Sequence, residues 1–175
     1  MGNSRENWQP WLNDKLTKLG HQVIMPNLSN PDHPTRNDWL SEVGNALKGT
    51  NPNQTIVIGH SLGVVTALDL IETLTPDQAI KSLISVSGFG EDYGAELNSY
   101  FLKAKSIDFN KIKSNCGTFF VLYGDDDPYV PQPRLKSLAD NLGVQPIIIP
   151  KDGHLNTTAG YTQFPKLLEI IINLE

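Results

Sequence analysis

A serine flanked by glycines follows a short apolar segment in the first half of the chain. The residues Gly59-His60-Ser61-Leu62-Gly63 match the pattern G-x-S-x-G. Between a strand and a helix, this pattern is typical of a nucleophile elbow, a turn so sharp that small residues must flank the serine. The helix behind Ser61 would add positive potential, and the backbone N–H of Leu62 could donate to an oxyanion. The structural alternative is a glycine-rich turn in which Ser61 only caps a helix, and we expect His60 to pack within the turn.

Two further polar segments follow later apolar runs. The segment Gly124-Asp125-Asp126-Asp127-Pro128 contains three consecutive aspartates, and Asp152-Gly153-His154 places a histidine beside a glycine. A carboxylate that orients a histidine, and a histidine that takes a proton from a serine, would complete a catalytic triad. Any of the three aspartates could serve, although Asp127 precedes proline, which favours extended backbone. The alternatives are solvated turn aspartates and a surface-loop histidine.

The order of these residues along the chain is informative. A serine, then an aspartate, then a histidine is the order found in α/β-hydrolases. Each candidate also follows a predicted strand, and in parallel sheets chemistry gathers at the carboxyl ends of strands. The sequence therefore predicts that Ser61, one aspartate and His154 meet at one edge of a sheet.

Strand-like and helix-like segments alternate along the chain, which predicts an α/β fold: a three-layer α/β/α sandwich with a mostly parallel sheet. Strands are predicted at 22–25, 55–58, 82–86, 118–123 and 145–149. Helices are predicted at 8–19, 35–47, 62–74, 132–142 and 164–174, with Thr35 as a cap and Pro165 in a first turn. The segment 87–106 is less regular. The β-branched run at 55–58 is expected to be buried on both faces.

Composition narrows the classes of function. The chain has 175 residues and a net charge of −5, which predicts a single domain at 1–175 and argues against nucleic acid or anionic membranes as partners. No apolar run approaches the ~20 residues of a membrane helix. A single cysteine favours a reducing compartment, and we expect a cytoplasmic protein. The lone Cys116 is expected to be a structural core thiol. No zinc spacing and no phosphate-binding glycine motif occurs, so no metal or cofactor is predicted.

At this point the sequence resembles a known family, the small α/β-hydrolases that include the retinoblastoma-binding serine hydrolase and its bacterial relatives. The matching segments span nearly the whole chain: Trp8-x-x-Trp11, Met25-Pro26-Asn27, Ile58-Gly59-His60-Ser61, Lys111-Ile112-Lys113-x-Asn115-Cys116, Asp126-Asp127-Pro128-Tyr129-Val130-Pro131 and Asp152-Gly153-His154. The resemblance implies that Ser61, Asp127 and His154 occupy the triad positions. It also implies a nearly lidless fold, carboxylesterase-like activity on small esters and, in some members, a protein-binding role.

The sequence departs from the family pattern at its beginning. Family members usually start with a β-strand that ends in a loop before the segment matching Gly2-Asn3-Ser4, and this strand is absent here. The second oxyanion donor normally lies at the end of this strand, so it cannot be assigned in this chain, and Gly2 and Asn3 are the positions considered for it. We expect the natural protein to start upstream. The alternatives are that another segment or chain fills the slot, or that 22–25 pairs directly with 55–58.

The leading hypothesis is a serine hydrolase that cleaves small carboxylic esters through an acyl-enzyme. A second hypothesis is a protein-interaction module that keeps the fold with little turnover, and a third is acyl transfer to an acceptor other than water. Aromatic residues in or beside the loops could line an acyl pocket or pack a small lid: Phe89, Tyr93, Tyr100, Phe101 and Tyr129.

Overall fold

The sheet has four parallel strands that follow one another in space as they do along the chain. The structure is a computed structural model that describes residues 3–174, without the side chain of Leu97. The strands are β1 (Ile56–His60), β2 (Ile80–Val86), β3 (Cys116–Gly124) and β4 (Ile147–Ile149). All four carboxyl ends therefore lie at one edge of the sheet, which is the edge where the sequence predicts the chemistry.

Seven α-helices cover the two faces of the sheet within residues 3–174. They are α1 (Gln9–Lys18), α2 (Arg36–Ala46), α3 (Leu62–Thr73), α4 (Glu96–Lys103), α5 (Phe109–Ser114), α6 (Gln132–Leu142) and α7 (Pro165–Ile172). Alternate residues of β2 divide the core, because side chains alternate across a strand. Leu83 packs with α2 to α6 on one face, and Ile84 packs with α1 and α7 on the other. The predicted α/β/α layering is confirmed.

Local signals set several helix boundaries as predicted. Thr35 caps α2 by accepting a hydrogen bond from the Asp38 backbone N–H. Pro165 is the first residue of α7, where a missing N–H costs nothing. Gly143 ends α6 in the left-handed conformation, with φ of 77°.

The prediction of a strand at 22–25 is wrong. The segment has no ladder partner, and β1 pairs only with β2 within the described residues. A segment without a neighbour has no acceptors for strand hydrogen bonds, whatever its propensity. Direct pairing of 22–25 with β1 is therefore also wrong. Ile56, Val57 and Ile58 are half-buried rather than buried on both faces. The reason is that β1 is an outermost strand of the sheet, with a neighbouring strand on one side.

Helix α4 lies in the segment 87–106, where the sequence showed little regularity, and α5 lies just beyond it, where no helix was predicted. A buried ion pair holds α4 in place: Arg36 Nε donates to Asp69 Oδ2 at 2.5 Å, and Arg36 Nη1 donates to the carbonyls of Phe101 and Leu102. The side chains of Arg36 and Asp69 are 5% and 1% exposed. The pair joins α2, α3 and the end of α4. Helix α4 is therefore ordered by tertiary contacts rather than by local helix propensity.

The remaining boundaries lie within two residues of the prediction, and those of α6 match it. Strands β2 and β3 begin two residues earlier than expected, and β4 is reduced to Ile147–Ile149. Among residues 3–174, no helix has both the length and the apolar character needed to cross a bilayer.

Candidate active site

Ser61 stands alone between β1 and α3, in a conformation that few non-glycine residues adopt. Its φ is 55° and its ψ is −126°. The turn is held from both sides, because the Ser61 N–H donates to the Val86 carbonyl at 2.9 Å and the Val64 N–H donates to the Ser61 carbonyl at 3.0 Å. A strained serine between the end of a strand and the start of a helix is the geometry of a nucleophile elbow.

The two flanking glycines play different parts. A Cβ added at Gly59 would lie 2.8 Å from Val64 Cα, so the close approach of α3 to β1 requires glycine there. A Cβ added at Gly63 would meet nothing within 4 Å. The second close approach involves Gly88, where a Cβ would lie 2.4 Å from Val64 Cγ2. The steric argument for small flanking residues therefore holds for Gly59 and not for Gly63.

Leu62 is the first residue of α3 and its side chain is buried. The first N–H groups of a helix have no intrahelical acceptor. The Leu62 N–H is therefore available to an oxygen of a bound molecule beside Ser61. Gly2, one of the positions considered for a second donor, lies outside the described residues.

Asp127 is the aspartate whose carboxylate contacts His154. Its Oδ2 lies 2.7 Å from His154 Nδ1, and its Oδ1 accepts the backbone N–H groups of Tyr129 and Val130 at 2.9 and 3.0 Å. The Asp127 side chain is 0% exposed and that of His154 is 8% exposed. Three hydrogen bonds to one buried carboxylate fix its direction.

This contact sets the tautomer of His154. A carboxylate accepts, so Nδ1 carries a proton, and in the neutral ring Nε2 is then unprotonated. An unprotonated Nε2 can accept a proton, as a general base must. Within the described residues, no hydrogen bond joins Ser61 Oγ to His154, although catalytic hydrogen bonds commonly tighten only when substrate binds.

Asp125 and Asp126 hold the backbone around His154. Asp125 Oδ1 accepts the N–H of Lys151 at 2.7 Å, and Asp126 Oδ1 accepts the N–H of Gly153 at 2.8 Å. Both aspartates are exposed, in contrast to Asp127. Sequence reasoning treated the three as alternatives, whereas each contacts a different residue of the segment 151–154.

Gly124 allows the two loops to meet. A Cβ added at Gly124 would lie 2.3 Å from the carbonyl oxygen of Gly153 and 2.8 Å from its nitrogen. Because β3 and β4 are adjacent and parallel, the loops after them start side by side. A residue without a side chain at the end of β3 lets the histidine-bearing loop pack directly on the strand.

His60 packs within the elbow, as expected, and also contacts the segment that carries His154. Its Nε2 lies 2.9 Å from the His154 carbonyl oxygen, and because a carbonyl only accepts, His60 Nε2 must carry the proton. Burial, and after it the charge that His154 can carry, lower the pKa of His60 from 6.5 to about 4, against smaller opposing effects of the hydrogen bond and of Asp127. His60 is therefore a neutral donor. Trp8 Nε1 donates to the next carbonyl, that of Leu155, at 3.0 Å.

Of the five aromatic residues considered for an acyl pocket, Tyr129 lies beside the site. Its ring centroid is 5.1 Å from that of His154, and it is 57% exposed. An open cleft of about 260 Å³ runs between Tyr129, His154 and Thr158. By contrast, Phe89 and Phe101 are buried in the core. These two pack rather than line a pocket.

The described residues include no cluster of three or more histidine, cysteine, aspartate or glutamate side chains that could hold a metal. Cys116 is buried at the start of β3, and its Sγ lies 3.2 Å from the Thr118 carbonyl oxygen. Burial raises the pKa of the Cys116 thiol to about 11, so the thiol stays protonated and unreactive at neutral pH.

Comparison with known proteins finds relatives that match nearly the whole chain. The YdeN protein of Bacillus subtilis is 28% identical over 169 residues, which are 96% of this chain and 88% of YdeN. The crystal structure of the ydeN gene product superposes with a TM-score of 0.91 over 99% of this chain and 92% of that one. The serine hydrolase RBBP9 of Rattus norvegicus is 27% identical over 168 residues, covering 94% of this chain and 84% of RBBP9.

More distant structures share the fold alone. Est1E from Butyrivibrio proteoclasticus is 18% identical and superposes with a TM-score of 0.71 over 99% of this chain and 84% of its own. A family model described as serine hydrolase matches residues 1–173, nearly the full length. The resemblance noted in the sequence is confirmed, and the chain belongs to the serine hydrolase family.

Proposed function

We propose that this hydrolase cleaves small carboxylic esters through an acyl-enzyme, with Ser61 as nucleophile, His154 as base and Asp127 as the residue that orients it. The observation that carries the proposal is the 2.7 Å contact of Asp127 Oδ2 with His154 Nδ1, on the same sheet edge as a strained Ser61. Of the three aspartates, Asp127 is the one with a fully buried side chain in contact with the ring.

The proposed reaction has two halves, and in each half His154 first accepts a proton and then donates it. Ser61 Oγ attacks the ester carbonyl carbon while its proton moves to His154 Nε2, and the carbonyl oxygen becomes an oxyanion facing the Leu62 N–H. His154 then returns the proton to the departing alcohol, which leaves the acyl group on Ser61. His154 Nε2 then takes a proton from a water molecule, which attacks the acyl carbon. The bond from that carbon to Ser61 Oγ breaks, and His154 returns the proton to Oγ as the acid leaves.

Asp127 contributes through charge and direction. Its buried carboxylate stabilises the imidazolium that forms during attack, and it keeps the proton on Nδ1 so that Nε2 faces the serine. The two backbone donors on Oδ1, from Tyr129 and Val130, prevent the carboxylate from rotating away.

Hydrolysis of p-nitrophenyl esters of increasing chain length tests this proposal, together with labelling by a fluorophosphonate probe. We expect turnover and labelling in the wild type, and loss of both in Ser61→Ala. Ser41→Ala is the matched control, because Ser41 is an exposed serine of α2 away from the strand ends. A wild type that neither turns over nor is labelled would favour the interaction-module hypothesis.

A further inference from the structure

The segment 151–155, called here the histidine loop, has an unusual backbone. Lys151, Gly153 and Leu155 have positive φ values of 60°, 52° and 49°. Two of these three residues carry a side chain, for which the left-handed region is unfavourable. A loop with this many left-handed residues needs contacts from elsewhere to keep its conformation.

Three of those contacts come from the loop after β3. Asp125, Asp126 and Asp127 contact Lys151 N–H, Gly153 N–H and His154 Nδ1 in turn, at 2.7, 2.8 and 2.7 Å. The contacts thus run in the same order along both loops. Only the last one reaches a side chain, while the first two reach the backbone.

We propose that Asp125 and Asp126 are positioning residues, which fix the backbone of the histidine loop so that His154 is aimed at Ser61. This inference rests on the proposed function of the same site. Neither aspartate touches the reacting atoms, so each acts through His154. Small displacements of a catalytic group have large effects on rate, because about 1 Å of misplacement can cost on the order of a hundredfold.

Asp125 and Asp126 differ from Asp127 in solvent exposure, and we expect their roles to differ for that reason. Asp125 and Asp126 are exposed, so water screens their charges, and what they supply is an oxygen that accepts a backbone N–H. An asparagine side chain has such an oxygen. Asp127 is buried and must be charged to stabilise the imidazolium. Replacement by asparagine should therefore be tolerated at 125 and 126 and damaging at 127.

Matched alanine and asparagine variants test this difference. We expect Asp125→Ala and Asp126→Ala each to lower kcat about ten- to a hundredfold with KM nearly unchanged, because the base and not the substrate site is displaced. Asp125→Asn and Asp126→Asn should recover the activity to within about threefold of wild type. Asp77→Ala is the control, because Asp77 is an exposed aspartate in the turn before β2, at the opposite edge of the sheet.

Two results would overturn the proposal. One is a folded Asp126→Ala protein with wild-type kcat, which would show that the contact does not position the base. The other is an Asp126→Asn protein as impaired as Asp126→Ala, which would show that charge rather than hydrogen-bond acceptance matters.

Amide hydrogen exchange tests the proposal without a measurement of turnover. We expect Asp126→Ala to speed exchange at Gly153 and not at Lys151, and Asp125→Ala to do the reverse. If the wild type has no esterase activity and is not labelled, the proposed function fails while this local effect can still be observed. If the exchange rates do not change, the positioning role fails whatever the activity.

Discussion

The lowered pKa of His60 predicts a loss of stability in mild acid. In the folded protein His60 donates to the His154 carbonyl as a neutral ring, with a pKa of about 4, whereas in the unfolded chain its pKa is 6.5. Between these values the unfolded state binds a proton that the folded state does not. Stability is therefore unaffected above pH 6.5 and falls as the pH drops from 6.5 to 4.

The size of the effect follows from the two pKa values. Their difference corresponds to roughly 3 kcal/mol of unfolding free energy, and this is an upper bound because part of His60 remains exposed. Small domains have only about 5–15 kcal/mol in total, so the loss is readily measured. His154 and Asp127 are the titratable groups that face His60, and their effects on its pKa are opposite in sign.

Urea unfolding at pH 7, 6, 5 and 4 measures the effect, with His60→Gln as the comparison. Glutamine has an amide N–H that can donate to the same carbonyl but does not titrate. We expect the wild type to lose up to about 3 kcal/mol more than His60→Gln between pH 7 and pH 4. Other acid-sensitive groups are common to both proteins and cancel in the difference. If the unfolding free energies of the two proteins change by the same amount between pH 7 and pH 4, the reasoning is refuted.

Asp127→Asn should lower kcat on the order of 10⁴-fold, by analogy with the serine-protease triad, and steady-state kinetics on the best ester will measure it. Arg36→Met leaves the Asp69 carboxylate buried without its guanidinium, and we expect chemical denaturation to show a loss of about 3 kcal/mol. Gly124→Ala forces a Cβ against the Gly153 carbonyl, so kcat should fall; unchanged activity would mean that the loop shifts without consequence.

The residues that carry strong local signals were predictable from the sequence. The elbow at Ser61 was recognised because its glycine pattern lies between a β-branched strand and a helix, and this setting is found in the structure. The choice of Asp127 came largely from family resemblance, since composition alone left three aspartates open. The three contacts of Asp125, Asp126 and Asp127 with the histidine loop could not be predicted from the sequence, because they depend on the close approach of two loops after adjacent strands.

The errors in the fold prediction have tertiary causes. The segment 22–25 has the propensity of a strand, but a strand also needs a neighbour, and sequence pattern does not reveal whether one is present. Helix α4 was missed because much of its order comes from Arg36, a residue 60 positions before it in the chain. Only the packed structure shows that this arginine is buried against two carbonyls of the helix.

The pairing of Asp125, Asp126 and Asp127 with Lys151, Gly153 and His154 links the lengths of two loops. Inserting one residue between Gly124 and Asp125 would move Asp126 into the position opposite the histidine and leave Asp127 beyond it. A length change in one loop therefore disturbs all three contacts together, whereas a substitution disturbs one. Related hydrolases with this arrangement should therefore keep the spacing of these loops as well as the three aspartates.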